Sequence, residues 1–112
     1  MMAKNDRQKD EKGDIIMFYV YVILCRNKTF YTGYTKDIFE RLKQHLDGKG
    51  ARYFRRNKVK RLYYVEKYRS QRQAIQRERE IKKFTHLRKK KLIEKPFDQE
   101  FVDNVNHFFG FS

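Results

Sequence analysis

Cysteine is almost absent from this chain of 112 residues: Cys25 stands alone, so no internal disulfide can form. Its position within an apolar run makes it a small buried hydrophobe rather than a reactive thiol, and a free thiol suits a reducing, cytoplasmic setting better than secretion. Long apolar runs are also missing. The longest, residues 18–25, has eight residues, against the roughly 20 that a membrane-spanning helix requires, so no membrane segment is expected. The first fifteen residues, MMAKNDRQKDEKGDI, contain neither an apolar stretch nor a small-residue cleavage site and read as no export signal. Acidic residues are scarce. Fourteen Asp and Glu face 28 Lys and Arg, a formal charge of +14 that is self-repulsive unless a polyanion offsets it, which makes nucleic acid the leading partner.

What the chain does have is aromatic area. Eighteen Phe and Tyr residues supply enough apolar surface to close one small core despite the charge, and the length leaves room for one domain. Residues 1–16 lack hydrophobic periodicity and read as a flexible leader, 17–94 as the folded domain, and 95–112, beyond the only proline, Pro96, as a Phe-rich tail. Phe101, Val105 and Phe108 in that tail repeat at helical spacing. The tail covers either the domain's own surface or a second copy.

Residues 18–25, FYVYVILC, are apolar at every position and mostly β-branched or aromatic, as in a central strand covered on both faces. Arg26, Asn27 and Lys28 then form a tight loop, and residues 29–34 form a second strand with alternating aromatics. Thr35 can cap a helix over 36–47 that ends at Gly48, with Ile38, Phe39, Leu42 and Leu46 as its buried stripe. Residues 49–61 carry seven basic side chains in thirteen and read as an irregular loop. A third strand follows at 62–65. Ser70 and Gln73 form a capping-box signature ahead of a helix over 71–84, and Thr85 can cap a short helix reaching residue 94. The first two strands are joined by too short a turn for a parallel crossover. The expected fold class is therefore α+β, a three-stranded, mainly antiparallel sheet flanked by helices, in the order β-β-α-β-α-α.

Two features carry chemistry. On the second long helix, Glu78 falls angularly between Ala74 and Ile75, on the side of Ile81, so a carboxylate occupies the apolar stripe. Burial of that charge requires either an internal ion pair with an arginine or a metal ion. In the hairpin, a three-residue loop sets Cys25 opposite Thr29, Tyr21 opposite Gly33 and Tyr31 opposite Ile23. The two tyrosines then share a face beside the space that Gly33 leaves, either as core aromatics or as paired phenols of a site. Arg41 and His45, four apart, fall together at one edge of the first helix's stripe.

The constellation of Tyr19-Val-Tyr21, Tyr31-Thr-Gly33, Arg41, His45, residues 48–53 (GKGARY), Arg77-Glu78 and Ile81-Lys82 resembles the small stand-alone bacterial GIY-YIG nuclease domains, relatives of the N-terminal nuclease domain of the excinuclease ABC C subunit. The name-giving motif is altered, since Tyr19 and Val20 stand for Gly and Ile, and Thr32 for the middle Ile of the second element. The resemblance implies metal-dependent hydrolysis of DNA phosphodiester bonds, in repair or recombination, on branched, nicked or single-stranded forms. It implies that Glu78 is the sole protein ligand of Mg²⁺ (or Mn²⁺), Tyr31 a general base that needs its phenol made more acidic by nearby cations and the metal, and Tyr21 a positioner of water or phosphate. Arg41 would stabilise charge on the phosphoryl oxygens and His45 would assist proton transfer or make a structural hydrogen bond. Gly33 would be structural at the site. Lys49, Arg52, Arg55, Arg56 and Lys58 would track the DNA backbone, and Lys82, Lys83 and residues 88–91 (RKKK) would extend that face or remain solvated. The alternative is a noncatalytic nucleic-acid-binding module that keeps the fold.

Overall fold

A computed structural model describes residues 8–9, 15–48 and 57–111 of the chain. Its main sheet has three strands, β3 (Phe18–Cys25), β4 (Phe30–Thr35) and β5 (Val59–Tyr68), in the order β4-β3-β5, antiparallel throughout. Ahead of it, β1 (Gln8–Lys9) pairs with β2 (Ile15–Ile16) in a two-residue ladder. The helices are α1 (Ile38–Leu46), α2 (Gln71–Lys82), α3 (His86–Lys90) and α4 (Gln99–Phe109), with a 3₁₀ turn at Lys91–Glu94 between the last two. The α+β class and the order of the main elements are those that the sequence predicts. Among the described residues, no helix is long and apolar enough to cross a membrane.

The unbroken apolarity of β3 has a direct cause. Tyr21, Ile23 and Cys25 face a cluster completed by Ile38 and Leu42 of α1 and Val102 and Val105 of α4. Phe18, Val20 and Val22 face the opposite cluster, with Ala74 and Ile81 of α2 and Leu92 of the 3₁₀ turn. Helices therefore cover both faces, and a pleated strand between two such layers has no face left for polar side chains.

The predicted hairpin register holds: Tyr21 lies across from Gly33 and Ile23 from Tyr31. Its loop closes through Lys28 N–H to Cys25 C=O at 2.9 Å, with Lys28 in the left-handed region at φ 70°. Local details differ from expectation where side chains compete for the same backbone groups. Asp37, not Thr35, caps α1, its carboxylate accepting from Glu40 N–H at 3.0 Å while the Thr35 hydroxyl accepts from Asp37 N–H at 3.1 Å. Phe39 and Leu46 are exposed rather than buried, and His45 takes the buried position in their place. β5 begins at Val59, so residues 59–61 belong to a strand and not to the basic loop. Two register shifts bend β5 against β3, which the alternation of its residues does not reveal. Ser70 caps α2 as predicted, with its hydroxyl accepting from Gln73 N–H.

The tail packs on its own domain. Phe101 stacks on Tyr19, ring centroids 5.6 Å apart, while Phe108 is exposed instead of extending the buried stripe. Buried Asn106 closes part of the sheet's β5 edge: its side-chain oxygen accepts from Leu62 N–H at 2.8 Å and its amide donates to Leu62 C=O at 2.9 Å. One side chain thus substitutes for a neighbouring strand at that position. Asn106→Leu leaves both buried backbone groups unpaired, so it should lower unfolding free energy by about 2–4 kcal/mol. Urea denaturation measures this, and a loss below about 0.5 kcal/mol would contradict the role.

Candidate active site

β4 is an edge strand, and this shapes the site. Side chains of α1, on one face of the sheet, and of α2, on the other, can both reach past that edge. From the α1 face come Tyr21, Tyr31, Arg41 and His45. Tyr21 is 1% exposed, and its hydroxyl lies 2.9 Å from His45 Nε2. The ring of Tyr31 meets His45 edge-on at 5.5 Å between centroids and Tyr21 at 6.3 Å. Arg41 is half-buried, with its guanidinium 3.5 Å from the Tyr34 carbonyl. From the α2 face comes Glu78, whose side chain is only 15% exposed and whose Oε2 lies 3.3 Å from Lys82 Nζ. Its charge raises the pKa of both phenols, which places all five residues in one electrostatic neighbourhood.

Gly33 does not leave open space. A Cβ there would lie 2.6 Å from the Tyr21 hydroxyl and 2.8 Å from Cζ, so the Tyr21 ring itself fills the volume that the missing side chain frees. Glycine at 33 is therefore what lets the phenol lie across β4 and reach His45.

Burial sets the protonation states. Desolvation pushes the Tyr21 phenol far above its ordinary value, with Tyr31 adding to the rise and Arg41 opposing it. The Tyr31 phenol also ends above its ordinary value, because desolvation outweighs the opposing charges of Lys82 and Arg41. Lys82 and Arg41 do act in the acidifying direction expected of nearby cations, but by themselves they do not offset burial. The His45 imidazole is pushed down to about 4, first by burial and then by the Arg41 charge. At neutral pH the site therefore holds protonated phenols and a neutral imidazole.

The charge partner of Glu78 is a lysine, Lys82, one helical turn on, and not an arginine. The i, i+4 spacing carried that signal in the sequence. The adjacent Arg77 points elsewhere, forking onto Glu66. Of the basic residues expected on DNA, Lys49, Arg52, Arg55 and Arg56 lie outside the described residues. Lys58 is exposed and lines a hollow of about 180 Å³ together with His45 and Arg26.

Among the described residues, no three His, Cys, Asp or Glu side chains gather as a metal cage. The donors present still fit a hard cation that keeps most of its waters, because Glu78 offers a carboxylate bordered by phenols, and its lysine partner is 53% exposed and free to swing aside. The one thiol, Cys25, is in the core.

Comparison with known families gives the class of this chain. The chain belongs to the GIY-YIG family of nucleases, whose catalytic-domain model matches residues 17–91. It is similar to a UPF0213 protein of Bacillus licheniformis, 43% identical over 76 residues, which are 68% of this chain and 78% of that one. A UPF0213 protein of Staphylococcus saprophyticus is 40% identical over 75 residues, 67% of this chain and 92% of that one. The solution NMR structure of the UPF0213 protein BH0048 from Bacillus halodurans is 32% identical, with a TM-score of 0.49 over 81% of this chain and 96% of that one.

Two consequences are testable. Unfolded, His45 titrates near 6.5, and folded near 4, so between these values the unfolded chain binds the extra proton and acid favours unfolding. The neutral-state stability is complete above about pH 6.5 and is lost as pH falls through the window to about 4, in total about 3 kcal/mol. Urea unfolding should therefore weaken by about 2 kcal/mol between pH 7.5 and pH 5, whereas His45→Gln should show little change, and an equal loss in that variant would refute the assignment. Gly33→Ala must displace the Tyr21 ring and should cost about 1–3 kcal/mol. Adding Tyr21→Phe, which removes the nearest atom, should recover part of the melting temperature. No recovery would mean the clash lies elsewhere.

Proposed function

We propose that the protein is a metal-dependent endonuclease that hydrolyses DNA phosphodiester bonds. The observation that carries this reading is the convergence, past one sheet edge, of Glu78 from one face with Tyr21, Tyr31, Arg41 and His45 from the other. A carboxylate in an apolar stripe, paired among the described residues with an exposed lysine, is explained by a cation and a phosphate that occupy the site in turn with that lysine. When bound, a divalent ion such as Mg²⁺ or Mn²⁺ supplies positive charge at the scissile phosphate, with Glu78 as the protein group that would hold it.

The chain's own residues divide the remaining work. Arg41 is anchored at the Tyr34 carbonyl and directs its charge to a phosphoryl oxygen, where negative charge grows in the transition state. In the tautomer protonated at Nδ1, His45 accepts the Tyr21 hydroxyl, which fixes the phenol as a positioning group for water or phosphate. Tyr31 is the general base once its own proton has passed to solvent, and its phenolate then takes the proton of the attacking water. Its burial-raised pKa keeps it protonated until further positive charge arrives beside Lys82 and Arg41, so activity depends on the assembled complex. The same raised phenol favours the alternative of a noncatalytic nucleic-acid-binding module, in which that charge never arrives. The surplus of 14 positive charges suits a DNA backbone in either case. Branched, nicked or single-stranded forms met in DNA repair or recombination are the substrates we assign, and the cytoplasm, where a free buried Cys25 is stable, is the compartment.

A screen of duplex, nicked, flapped, branched and single-stranded DNA with Mg²⁺ or Mn²⁺ should find at least one form cut. Arg41→Ala should then lose about 10²–10³-fold, and Glu78→Gln at least as much, with binding retained. Glu78→Gln cutting at the wild-type rate would sink the assignment. Salt-sensitive binding without cutting of any form would support the noncatalytic module.

A further inference from the structure

Arg77 and Glu78 are consecutive on α2, so their side chains diverge by about 100° to opposite flanks of the helix. Glu78 faces the β4 edge. Arg77 faces β5, where Glu66 accepts from its Nε at 2.9 Å and its Nη2 at 3.1 Å, and also from the hydroxyls of Tyr64 and Tyr68 at 2.5 Å each. The Arg77 Nη1 lies 3.0 Å from Glu80. Arg77 thereby occupies both acidic groups on this flank and becomes a fixed, neutralised wall.

Beyond that wall, α2, α3 and the 3₁₀ turn enclose a pocket of about 150 Å³ lined by Arg77, Phe84, Arg88, Lys91, Leu92 and Lys95. A shallower hollow adjoining it adds Lys83 and Glu80, the latter paired with Arg77. The Arg88 guanidinium lies over the Phe84 ring, 3.8 Å from its centroid. A guanidinium resting on an aromatic ring keeps N–H donors for an oxyanion, which it can hold by two parallel hydrogen bonds. Leu92, 6% exposed, pegs the 3₁₀ turn into the core between Lys91 and Lys95, and the Tyr63 hydroxyl donates to Lys90 C=O at 2.6 Å, anchoring the end of α3. Among the described residues, Lys83, Arg88, Lys91 and Lys95 make no ion pair. Unpaired cations on anchored backbone around a concave aromatic floor are a phosphate receptor's chemistry, because mutual repulsion is relieved only when an anion arrives.

We propose that this pocket is a second nucleic-acid phosphate site, in which Arg88, Lys91 and Lys95 hold a backbone phosphodiester away from the bond being cut. The inference rests on the nucleic-acid reading above for its ligand, but not on turnover. A helix is roughly 10 Å across, so a strand or arm that crosses α2 from Glu78 spans on the order of three nucleotide rises before reaching the pocket. The site therefore orients the substrate across α2. Phe84, half-buried, serves as a platform for Arg88.

The test is binding of labelled duplex and branched DNA by the full chain carrying Glu78→Gln, without divalent ions, over a series of salt concentrations. Adding Arg88→Gln and Lys91→Gln should weaken binding about tenfold and reduce the slope of log affinity against log salt by about one. Arg69→Gln with Arg72→Gln removes the same charge from the exposed start of α2 and should change affinity less than about twofold. An unchanged slope in the first pair, or an equal loss in the second, overturns the site, and so does absence of DNA binding by the parent. Should the first pair unfold, as read by circular dichroism, the exposed Lys91→Gln change alone gives the same readout at about half the effect. Cleavage by Glu78→Gln at the wild-type rate, together with the expected binding loss, would remove the catalytic assignment and leave this site standing.

Discussion

The structure depends on a single strand buried from both sides. β3 pairs with β4 on one flank and β5 on the other, and its alternate residues feed two separate hydrophobic clusters. Since α1 and α4 pack against one face and α2 with the 3₁₀ turn against the other, displacing β3 would uncouple both layers together. The hydrophobic area gathered at this strand is what lets a small chain with a net charge of +14 hold a fold.

That arrangement also explains where a reactive site can be. Among the described residues the main sheet has three strands, so β4 is both the neighbour of the central strand and an edge, and helices on opposite faces can reach round it. The core itself supplies one wall of the site, since Tyr21 belongs to the α1-side cluster and ends on His45. Gly33 permits this crossing, because the cross-strand partner of Tyr21 has no Cβ to obstruct it. The same burial that orders the phenols and imidazole removes their charge at neutral pH, so the site is preorganised in position but awaits positive charge from its ligands.

The two flanks of α2 differ in how acid and base are matched. Among the described residues, Glu78 on the β4 side has one exposed lysine partner, whereas on the β5 side Glu66 and Glu80 are both paired with Arg77. Carboxylate is thus left available at the reactive edge and cations at the opposite flank, an asymmetry suited to one anionic polymer lying across the helix. The acidic tail helix is kept apart from this surface, with Asp98 paired to Lys67 and Val102 and Val105 buried on the opposite face of the sheet.

Much of this was legible in the residues alone. The span of β3, the hairpin register, the Ser70 cap and the position of Glu78 in its stripe follow from periodicity and local hydrogen-bonding preference, which act over a few residues. The resemblance named the family because the chemistry-bearing residues kept their spacing. Other features had no local signal. That Phe39 and Leu46 are exposed while His45 is buried depends on where α1 meets the sheet, and helical angle alone cannot choose between neighbouring edges of a stripe. Asn106 bonding to Leu62 joins residues 44 apart, and Arg77 meeting Glu66 joins a helix to a strand. The sign of the Tyr31 shift depended on desolvation exceeding two nearby cations, a balance that exists only once the chain is packed. The sequence by itself determined which elements form and which residues have reactive chemistry, because both arise from side-chain type and short-range geometry. Tertiary structure alone decided which of those residues lose their water, which charges are already paired, and which face one another past the edge of β4, because those properties belong to neighbours far apart in the chain.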